Sequence, residues 1–233
     1  MSQNVSEVVV ALLNKLRKLF NPIFLAKFII KKLYDIYKGI HYRKLLKNGN
    51  ITIISNNCIG GFLYQKYGIK YYSPTIGLQF TQEGFLKLCK NLEHYIQEEL
   101  MESEDKMLED FIKLGGTGVD FPVGKLGDII IFFQHYKTFE EAKIKWDERK
   151  SRINKNRIFF IFVGYDNTPK GIFEEYDRLP LKNKLLLTNK RIIESKNMLI
   201  MNNGKKAWFE EMDNLNRLKY YEQFDYYKWF MSG

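Results

Sequence analysis

Two uninterrupted runs of apolar residues constrain the fold of this chain more than any other feature of its sequence. They form the centres of the segments Asp128–Gln134 and Arg157–Val163, and neither shows the alternation of a half-exposed strand. Such runs are typical of strands that are buried on both faces in a parallel sheet. Since helices are predicted between the strands, right-handed crossovers should connect them. The chain is therefore predicted to be an α/β protein with a mostly parallel sheet and helices on both faces.

The segment Ile51–Gly61 combines a short strand, a turn and the start of a helix. Apolar and β-branched residues precede the polar residues Ser55–Cys58, and two glycines then allow a sharp turn. α/β proteins build ligand sites from such turns, because the amides at the helix N-terminus are available to a ligand. We therefore expect this turn to form part of a site and to present the thiol of Cys58.

Residues that follow three predicted strands are candidates for catalysis. In a parallel sheet the carboxyl ends of the strands lie along one edge, and ligands bind in the crevice there. Cys58, His135 and Asp166 would meet at this edge. The helix dipole would favour a thiolate at Cys58, His135 would act as the base, and Asp166 would orient the histidine. The alternative interpretation is structural: Cys58 is a small turn residue, His135 is a hydrogen-bonded residue that caps a strand, and Asp166 is an ordinary turn former.

The same edge also predicts a polar cleft for a sugar or a nucleotide sugar. Asparagine amides could bind hydroxyl groups, backbone amides could hold a phosphate, and an arginine could neutralise it. The predicted ligand-binding residues are Ser55, Asn56, Asn57, Gly60, Gly61, Tyr136, Arg149 and Arg152. No metal site and no cofactor is predicted, since the two cysteines and three histidines lack paired ligand spacing.

A helix is predicted to start at the capping box Thr138–Glu141 and to run to about residue 150. Its inward positions are Phe139, Ala142 and Trp146, and Arg149 lies on the same stripe one turn later. The helix therefore carries one of the two predicted arginine ligands.

Residues 1–47 carry most of the excess positive charge. They contain ten lysines and arginines but only two acidic residues, a net charge of +8, whereas the whole chain has a net charge of +10. Apolar residues at helical spacing predict basic amphipathic helices at 5–20 and 22–47. We expect a basic helical segment at 1–47 and an α/β domain at 48–233, divided at the Asn48-Gly-Asn50 turn.

Two interpretations of the basic helices stay open. They could lie on an anionic membrane surface, where each nearby cation adds about 1 kcal/mol. They could equally pack on the domain with a solvated basic face. Nucleic acid is a weaker partner, because arginine is scarce and no recognised binding motif accompanies the charge.

Cysteine content and hydropathy predict a cytoplasmic protein. Two cysteines in 233 residues do not form a disulfide framework. There is also no run of about 18 apolar residues, the length that a membrane-spanning helix needs. A peripheral contact at the inner face of the membrane is compatible with this location.

Five spaced motifs resemble one bacterial family. The motifs are Ser55–Gly61, Tyr72–Thr75, Phe121–Gly124, His135–Tyr136 and Trp146–Asn154. Together they resemble the domain of unknown function 1919 family over residues 48–201, with the basic helices outside the match. Members are commonly labelled exopolysaccharide or capsule biosynthesis proteins. The resemblance implies a Rossmann-like α/β fold and a polysaccharide locus, but no mechanism and no catalytic residues.

Three hypotheses on function follow. The leading one is a glycosyltransferase of exopolysaccharide or capsule biosynthesis that uses a nucleotide sugar and a lipid-linked acceptor at the cytoplasmic face of the membrane. No Asp-x-Asp motif is present, so a metal-dependent donor site of that type is not supported. The second is a cysteine-dependent acyltransferase or hydrolase that uses Cys58 and His135. The third is a non-catalytic sugar-binding or scaffold protein, so the sequence leaves open whether the protein is an enzyme.

Overall fold

A computed structural model gives the three-dimensional structure of the chain. It describes residues 50–103, 121–201 and 222–233, together with Ile30, Leu33, Tyr37 and Ile40. The predicted helix at 5–20 lies outside these residues, and so does most of the predicted helix at 22–47. Contacts within the chain divide it into two units, Met1–Leu45 and Leu46–Gly233, close to the predicted boundary.

Eight strands and six helices make up the described part of the second unit. The strands are β1 (Thr52–Ser55), β2 (Gln79–Phe80), β3 (Leu100–Glu102), β4 (Val123–Leu126), β5 (Ile129–Phe132), β6 (Ile158–Val163), β7 (Lys184–Thr188) and β8 (Met198–Ile200). The helices are α1 (Ile59–Tyr67), α2 (Gln82–Lys90), α3 (Leu92–Gln97), α4 (Phe139–Lys150), α5 (Lys170–Arg178) and α6 (Tyr226–Ser232). The predicted α/β class is confirmed.

One of the two apolar runs forms a strand of a parallel sheet. The order of this sheet is β1-β6-β7-β8, and all its pairs are parallel. Thr52 of β1 lies opposite Ile158 of β6, and Phe160 of β6 opposite Lys184 of β7. Because β6 lies between two strands and helices cover both faces, five of its six residues are buried.

The other apolar run lies in a different sheet. β5 belongs to an antiparallel sheet of order β2-β5-β4-β3, so the prediction that it is a strand of the parallel sheet is wrong. The fold is α/β with one parallel and one antiparallel sheet of four described strands each. The run is apolar because both faces of β5 are covered. Ile129 and Ile131 belong to the main core, whereas Phe132 packs in a smaller cluster with Val123 and Tyr165.

The two sheets share the main core. Ile54 and Phe162 from the parallel sheet belong to the same buried cluster as Phe80 from the antiparallel sheet. The ring of Phe85 in α2 lies 5.7 Å from that of Phe162. At the junction, the amide of Phe80 donates to the carbonyl of Asn56 at 3.0 Å, so β2 passes the point where β1 ends.

Described helices cover both faces of the parallel sheet. The ring of Phe162 contacts Phe173 and Tyr176 of α5 on the main-core face. Phe159 lies on the opposite face, with its ring 5.0 Å from that of Phe230 in α6. Tyr67 of α1 lies 6.0 Å from the same ring. The parallel sheet is therefore a buried central layer.

In the first unit the structure describes four helical residues. Ile30, Leu33, Tyr37 and Ile40 are each 58 to 65% exposed. Their spacing of three or four residues places them on one face of a helix. Within the described residues, no helix has the length and apolar character needed to cross a bilayer.

Candidate active site

A cavity of about 330 Å³ opens beside the first turn of α1. It is bounded by α1, by the loop before β2, by the residues after β5 and by α4. Its volume lies near the lower end of the range for small-molecule sites. The lining residues are Cys58, Gly61, Phe62, Gln65, Tyr71, Ile76, Gly77, His135, Tyr136, Glu141, Lys145 and Arg149.

Cys58 and His135 meet in this cavity although they are 77 positions apart in sequence. Sγ of Cys58 lies 3.2 Å from Nε2 of His135. When Nε2 is unprotonated, it can accept the thiol proton. Within the described residues, Nδ1 of His135 has no hydrogen-bond partner. The structure therefore brings two of the three predicted catalytic residues together as a dyad, and their catalytic role stays a prediction.

The turn between β1 and α1 leaves the thiol of Cys58 free of a capping role. Cys58 directly precedes α1, but its side chain does not cap the helix. Instead, the amide of Ile59 donates to Oδ1 of Asn57 at 3.1 Å, and the amide of Gly60 donates to Oγ of Ser55 at 3.2 Å. These side chains satisfy amides that have no partner within the helix. The thiol is thus available to the cavity.

Burial raises the pKa of the Cys58 thiol from its ordinary value of 9.0 to about 11. Desolvation has this effect because it disfavours the charged thiolate. The resting thiol is therefore neutral at physiological pH, and a reaction at Sγ needs a base that removes the proton. Nε2 of His135 is within hydrogen-bond distance for this step.

The loop before β2 positions His135 and Tyr136. Gly77 has a φ of +74°, and a Cβ at this position would lie 3.2 Å from the ring of Tyr136 and 3.4 Å from Cβ of His135. The amide of His135 donates to the carbonyl of Gly77 at 3.3 Å. This close approach continues the antiparallel pairing of β2 with β5. Antiparallel pairing, and not a shared edge of parallel strands, brings His135 next to Cys58.

The helix α4 begins and packs as its sequence predicts. Oγ1 of Thr138 accepts a hydrogen bond from the amide of Glu141 at 3.2 Å, which confirms the predicted start. The inward positions Phe139, Ala142 and Trp146 are all buried. The adjacent face of the helix, with Glu141, Lys145 and Arg149, lines the cavity.

Arg149 of α4 is held by three neighbours at the cavity. Its Nη1 donates to the hydroxyl of Tyr136 and to the carbonyl of Ile76, the latter at 3.4 Å. The Tyr136 hydroxyl donates to the same carbonyl at 2.7 Å. The ring centre of Tyr71 lies 5.1 Å from the guanidinium carbon, a cation–π arrangement. Two predicted ligand-binding residues, Tyr136 and Arg149, thus lie together in the cavity wall.

Four predicted ligand-binding residues shape the turn and do not line the cavity. They are Ser55, Asn56, Asn57 and Gly60. Asn56 is fully buried, and its side-chain amide bonds both the amide and the carbonyl of Val163, each at 2.9 Å. Its side chain therefore extends the pairing of β1 with β6 by one step. Gly61 is the predicted ligand-binding residue of this turn that does line the cavity.

Asp166 and Arg152 also lie apart from the cavity lining. Oδ1 of Asp166 accepts a hydrogen bond from Asn189 at 2.7 Å, so this carboxylate does not orient His135. Nη2 of Arg152 pairs with Glu148, and its Nη1 donates to the carbonyl of Tyr71 at 3.3 Å. Arg152 therefore fixes the backbone that carries Tyr71.

Sequence reasoning missed several lining residues, among them Tyr71, Glu141 and Lys145. Glu141, Lys145 and Arg149 follow one another at intervals of four residues, which places them on one face of α4. That spacing was a usable signal, because the helix itself was predicted. No local pattern marks Tyr71, which reaches the cavity from an irregular segment.

The charges around the cavity favour anions. Two cations, Lys145 and Arg149, line it together with one carboxylate, Glu141. Within the described residues, His, Cys, Asp and Glu side chains form no group of three that could hold a metal ion. The lining thus has the chemistry of a site for a small acidic molecule.

A family match spans most of the chain. The family described as Domain of unknown function (DUF1919) matches residues 29–231. The match is longer than the five motifs indicated, since it includes part of the basic segment and most of α6. A Haemophilus influenzae protein described as uncharacterized is 30% identical over 214 residues, which cover 90% of this chain and 98% of that protein. Neither description names a substrate or an activity.

Proposed function

This chain belongs to the domain of unknown function 1919 family, and we propose that it is a thiol-dependent acyltransferase or hydrolase with Cys58 as nucleophile and His135 as general base. The observation that carries this proposal is the 3.2 Å distance between Sγ and Nε2. A nucleophile within hydrogen-bond reach of a base, beside a small-molecule cavity, meets the geometric requirements of nucleophilic catalysis.

The proposed reaction has two stages. In the first, Sγ of Cys58 bonds to the acyl carbon while its proton passes to Nε2 of His135, and the leaving group departs with that proton. In the second, water or an acceptor hydroxyl attacks the thioester and gives a proton to His135. The sulfur then leaves and regains that proton. Because the resting thiol is neutral, the first stage depends on the base.

The N-terminus of α1 supports this reaction with a backbone donor. Gly61 lines the cavity, and its amide forms no hydrogen bond within the described residues. The two preceding amides are already bonded to Asn57 and Ser55. A free amide beside the nucleophile can stabilise the oxyanion of a tetrahedral intermediate. We assign this role to Gly61.

Hydrolysis of p-nitrophenyl acetate tests the proposal, because this neutral ester reports acylation through nitrophenol release. We expect release faster than with N-acetylcysteine at the same pH, and peptide mass spectrometry should locate the acetyl group on Cys58. Cys58→Ala should abolish both signals, and Cys89→Ala, which removes a buried thiol, should retain them. Release no faster than with N-acetylcysteine would contradict catalysis at this thiol.

A glycosyltransferase of exopolysaccharide or capsule biosynthesis is the second candidate. Arg149 favours it, since a cation can neutralise the diphosphate of a nucleotide sugar, and the rings of Tyr71 and Tyr136 can contact a sugar. The strands β1, β6 and β7 lie side by side in the same order in which they follow one another along the chain. This arrangement is compatible with one half of a Rossmann-like fold. A panel of nucleotide sugars tests this candidate by thermal stabilisation. A shift that Arg149→Met removes would support it, and no shift with any donor would contradict it.

For either activity, we place the protein at the cytoplasmic face of the membrane. Residues 1–47 have a net charge of +8, and Leu33 and Ile40 are exposed on one helix face. A basic helix with such a face can bind anionic lipids. Replacing Leu33 and Ile40 by glutamate should release the protein from phosphatidylserine vesicles, whereas Ile144→Glu, at an equally exposed isoleucine of α4, should not. Equal binding of all variants would contradict this location.

A further inference from the structure

Arg149 retains two donor groups that no atom of the described residues uses. Its Nη1 is occupied by the hydroxyl of Tyr136 and the carbonyl of Ile76. Within the described residues, Nε and Nη2 donate to nothing. The N–H groups of a guanidinium lie in one plane, and a free edge matches two oxygens of a carboxylate or a phosphate.

The charges next to Arg149 on the same helix are paired. Lys145 pairs with Glu148 at 3.2 Å, and Lys150 pairs with Asp147 at 2.9 Å. Arg149 lies between them in sequence, yet no carboxylate of the described residues forms a salt bridge with it. Its charge is therefore available to a ligand.

The guanidinium plane is fixed before any ligand arrives. The ring of Tyr71 covers one face, with its centre 5.1 Å from the guanidinium carbon. Arg152 in turn holds the carbonyl of Tyr71 at 3.3 Å. Since these contacts restrict the rotation of Arg149, binding an anion costs little additional side-chain entropy.

We propose that Arg149 binds a carboxylate or phosphate group of the acyl substrate, so that the site takes acidic acyl compounds. This inference rests on the proposed function, because it takes Cys58 as the reacting group. Arg149 and Cys58 line one cavity, so an acyl chain anchored at the guanidinium can place its reactive carbon at Sγ. Glu141 lines the same cavity, and its negative charge favours a substrate with a single anionic group.

Matched alkylating reagents test the anion site without requiring turnover. N-iodoacetyl derivatives of glycine, β-alanine and γ-aminobutyric acid carry a carboxylate at increasing distance from the reactive carbon, and their methyl esters are neutral controls. In each reaction the C–S bond forms, iodide leaves and the thiol proton passes to His135. Peptide mass spectrometry then gives the rate at Cys58 for each reagent.

We expect at least one acid to react about tenfold or more faster than its ester, because hydrogen bonds between charged partners are the stronger ones. Arg149→Met should remove this preference. Arg149→Lys keeps the charge but lacks the planar pair of N–H donors, so it should remove most of the preference. Arg178→Met makes the same change in net charge at an exposed site of α5 and should retain the preference. No preference at any length, or a preference retained in Arg149→Met, would overturn the proposal.

The anion site and the proposed chemistry can fail separately. A preference for acids without turnover of any ester would support the anion site and contradict the acyltransferase. If neither reagent of any pair modifies Cys58, a calorimetric titration with inorganic phosphate decides. Binding that Arg149→Met abolishes would support the anion site, and no binding to the wild type would overturn it.

Discussion

The two walls of the cavity are built in different ways. The turn wall, Ser55–Gly61, contributes Cys58 and Gly61 to the lining, and its other polar side chains bond within the protein: Asn56 bonds Val163, and Ser55 and Asn57 bond the first amides of α1. The helix wall consists of His135, Tyr136 and α4. There the imidazole of His135 is exposed, and Nε and Nη2 of Arg149 donate to no atom of the described residues.

A polar side chain that is fully bonded within the protein has nothing left for a ligand. The turn wall therefore fixes where Cys58 sits, whereas the helix wall supplies the base and the charge that act on a substrate. Substitutions in the turn wall should mainly change the free energy of unfolding. Substitutions in the helix wall should mainly change reactivity at Cys58.

The largest effect is expected for His135→Ala in the helix wall. Loss of a general base should slow acylation of Cys58 by p-nitrophenyl acetate by about 10² to 10⁴-fold. The free energy of unfolding should stay within about 0.5 kcal/mol, because the side chain is exposed. His94→Ala, at another exposed histidine, is the control and should leave the rate unchanged. Equal rates in both variants would remove His135 from the mechanism.

The next effect concerns Asn56→Ala in the turn wall. The substitution leaves the amide and the carbonyl of Val163 buried without partners, so we expect a loss of about 2 to 4 kcal/mol in urea unfolding. Asn189→Ala removes an exposed hydrogen bond to Asp166 and should cost less than about 0.5 kcal/mol. Similar losses in the two variants would mean that the turn wall is not the rigid element.

A smaller effect on the free energy of unfolding is expected for alanine substitutions at two adjacent glycines of α1, and its sign should differ between them. A Cβ at Gly60 would lie 2.8 Å from Oγ of Ser55, which is buried and held by two hydrogen bonds. Gly60→Ala should therefore lose about 1 to 3 kcal/mol in chemical denaturation. A Cβ at Gly61 meets only Ile76 at 3.5 Å, so Gly61→Ala should gain about 0.5 to 1 kcal/mol from helix propensity. The same sign for both would contradict the packing described at Ser55.

The smallest effect is a pH dependence of stability. The pKa of Cys58 is about 11 in the folded protein and has an ordinary value of 9.0, so the unfolded chain loses this proton first. The contribution of the thiol is complete below pH 9.0 and is lost as the pH rises through about 11. One unit above 9.0 the wild type should have lost about 1 kcal/mol relative to Cys58→Ser, measured by denaturation at several pH values. Parallel pH curves would show that burial does not raise this pKa.

The sequence predicted individual strands and helices better than it predicted which strands pair with each other. The apolar run at β6 and the capping residue Thr138 gave the correct strand and helix, because burial and capping leave local patterns. The same kind of run misassigned β5, since burial on both faces looks alike in a parallel and an antiparallel sheet. β2 has only two residues, so the strand that decides this pairing carries little pattern of its own.

The candidate site was predicted in part and for a partly wrong reason. Cys58 and His135 were predicted to meet at an edge of parallel strands, and they do meet, but through the pairing of β2 with β5. Asn56 was predicted to bind a ligand, because a sequence does not show whether an amide is already bonded to Val163. Tyr71 was missed, since its position depends on tertiary contacts alone.

The hydrogen bond from Phe80 to Asn56 joins two sheets that are otherwise separate ladders. Sγ of Cys58 and the imidazole of His135 therefore follow strands of different sheets, and the distance between them depends on how the two sheets are placed relative to each other. A displacement of about 1 Å between the two sheets would break the contact of Cys58 with His135, while each sheet remained intact. Substitutions in the shared core, far from any substrate, should thus weaken catalysis at degrees of destabilisation that leave the protein folded.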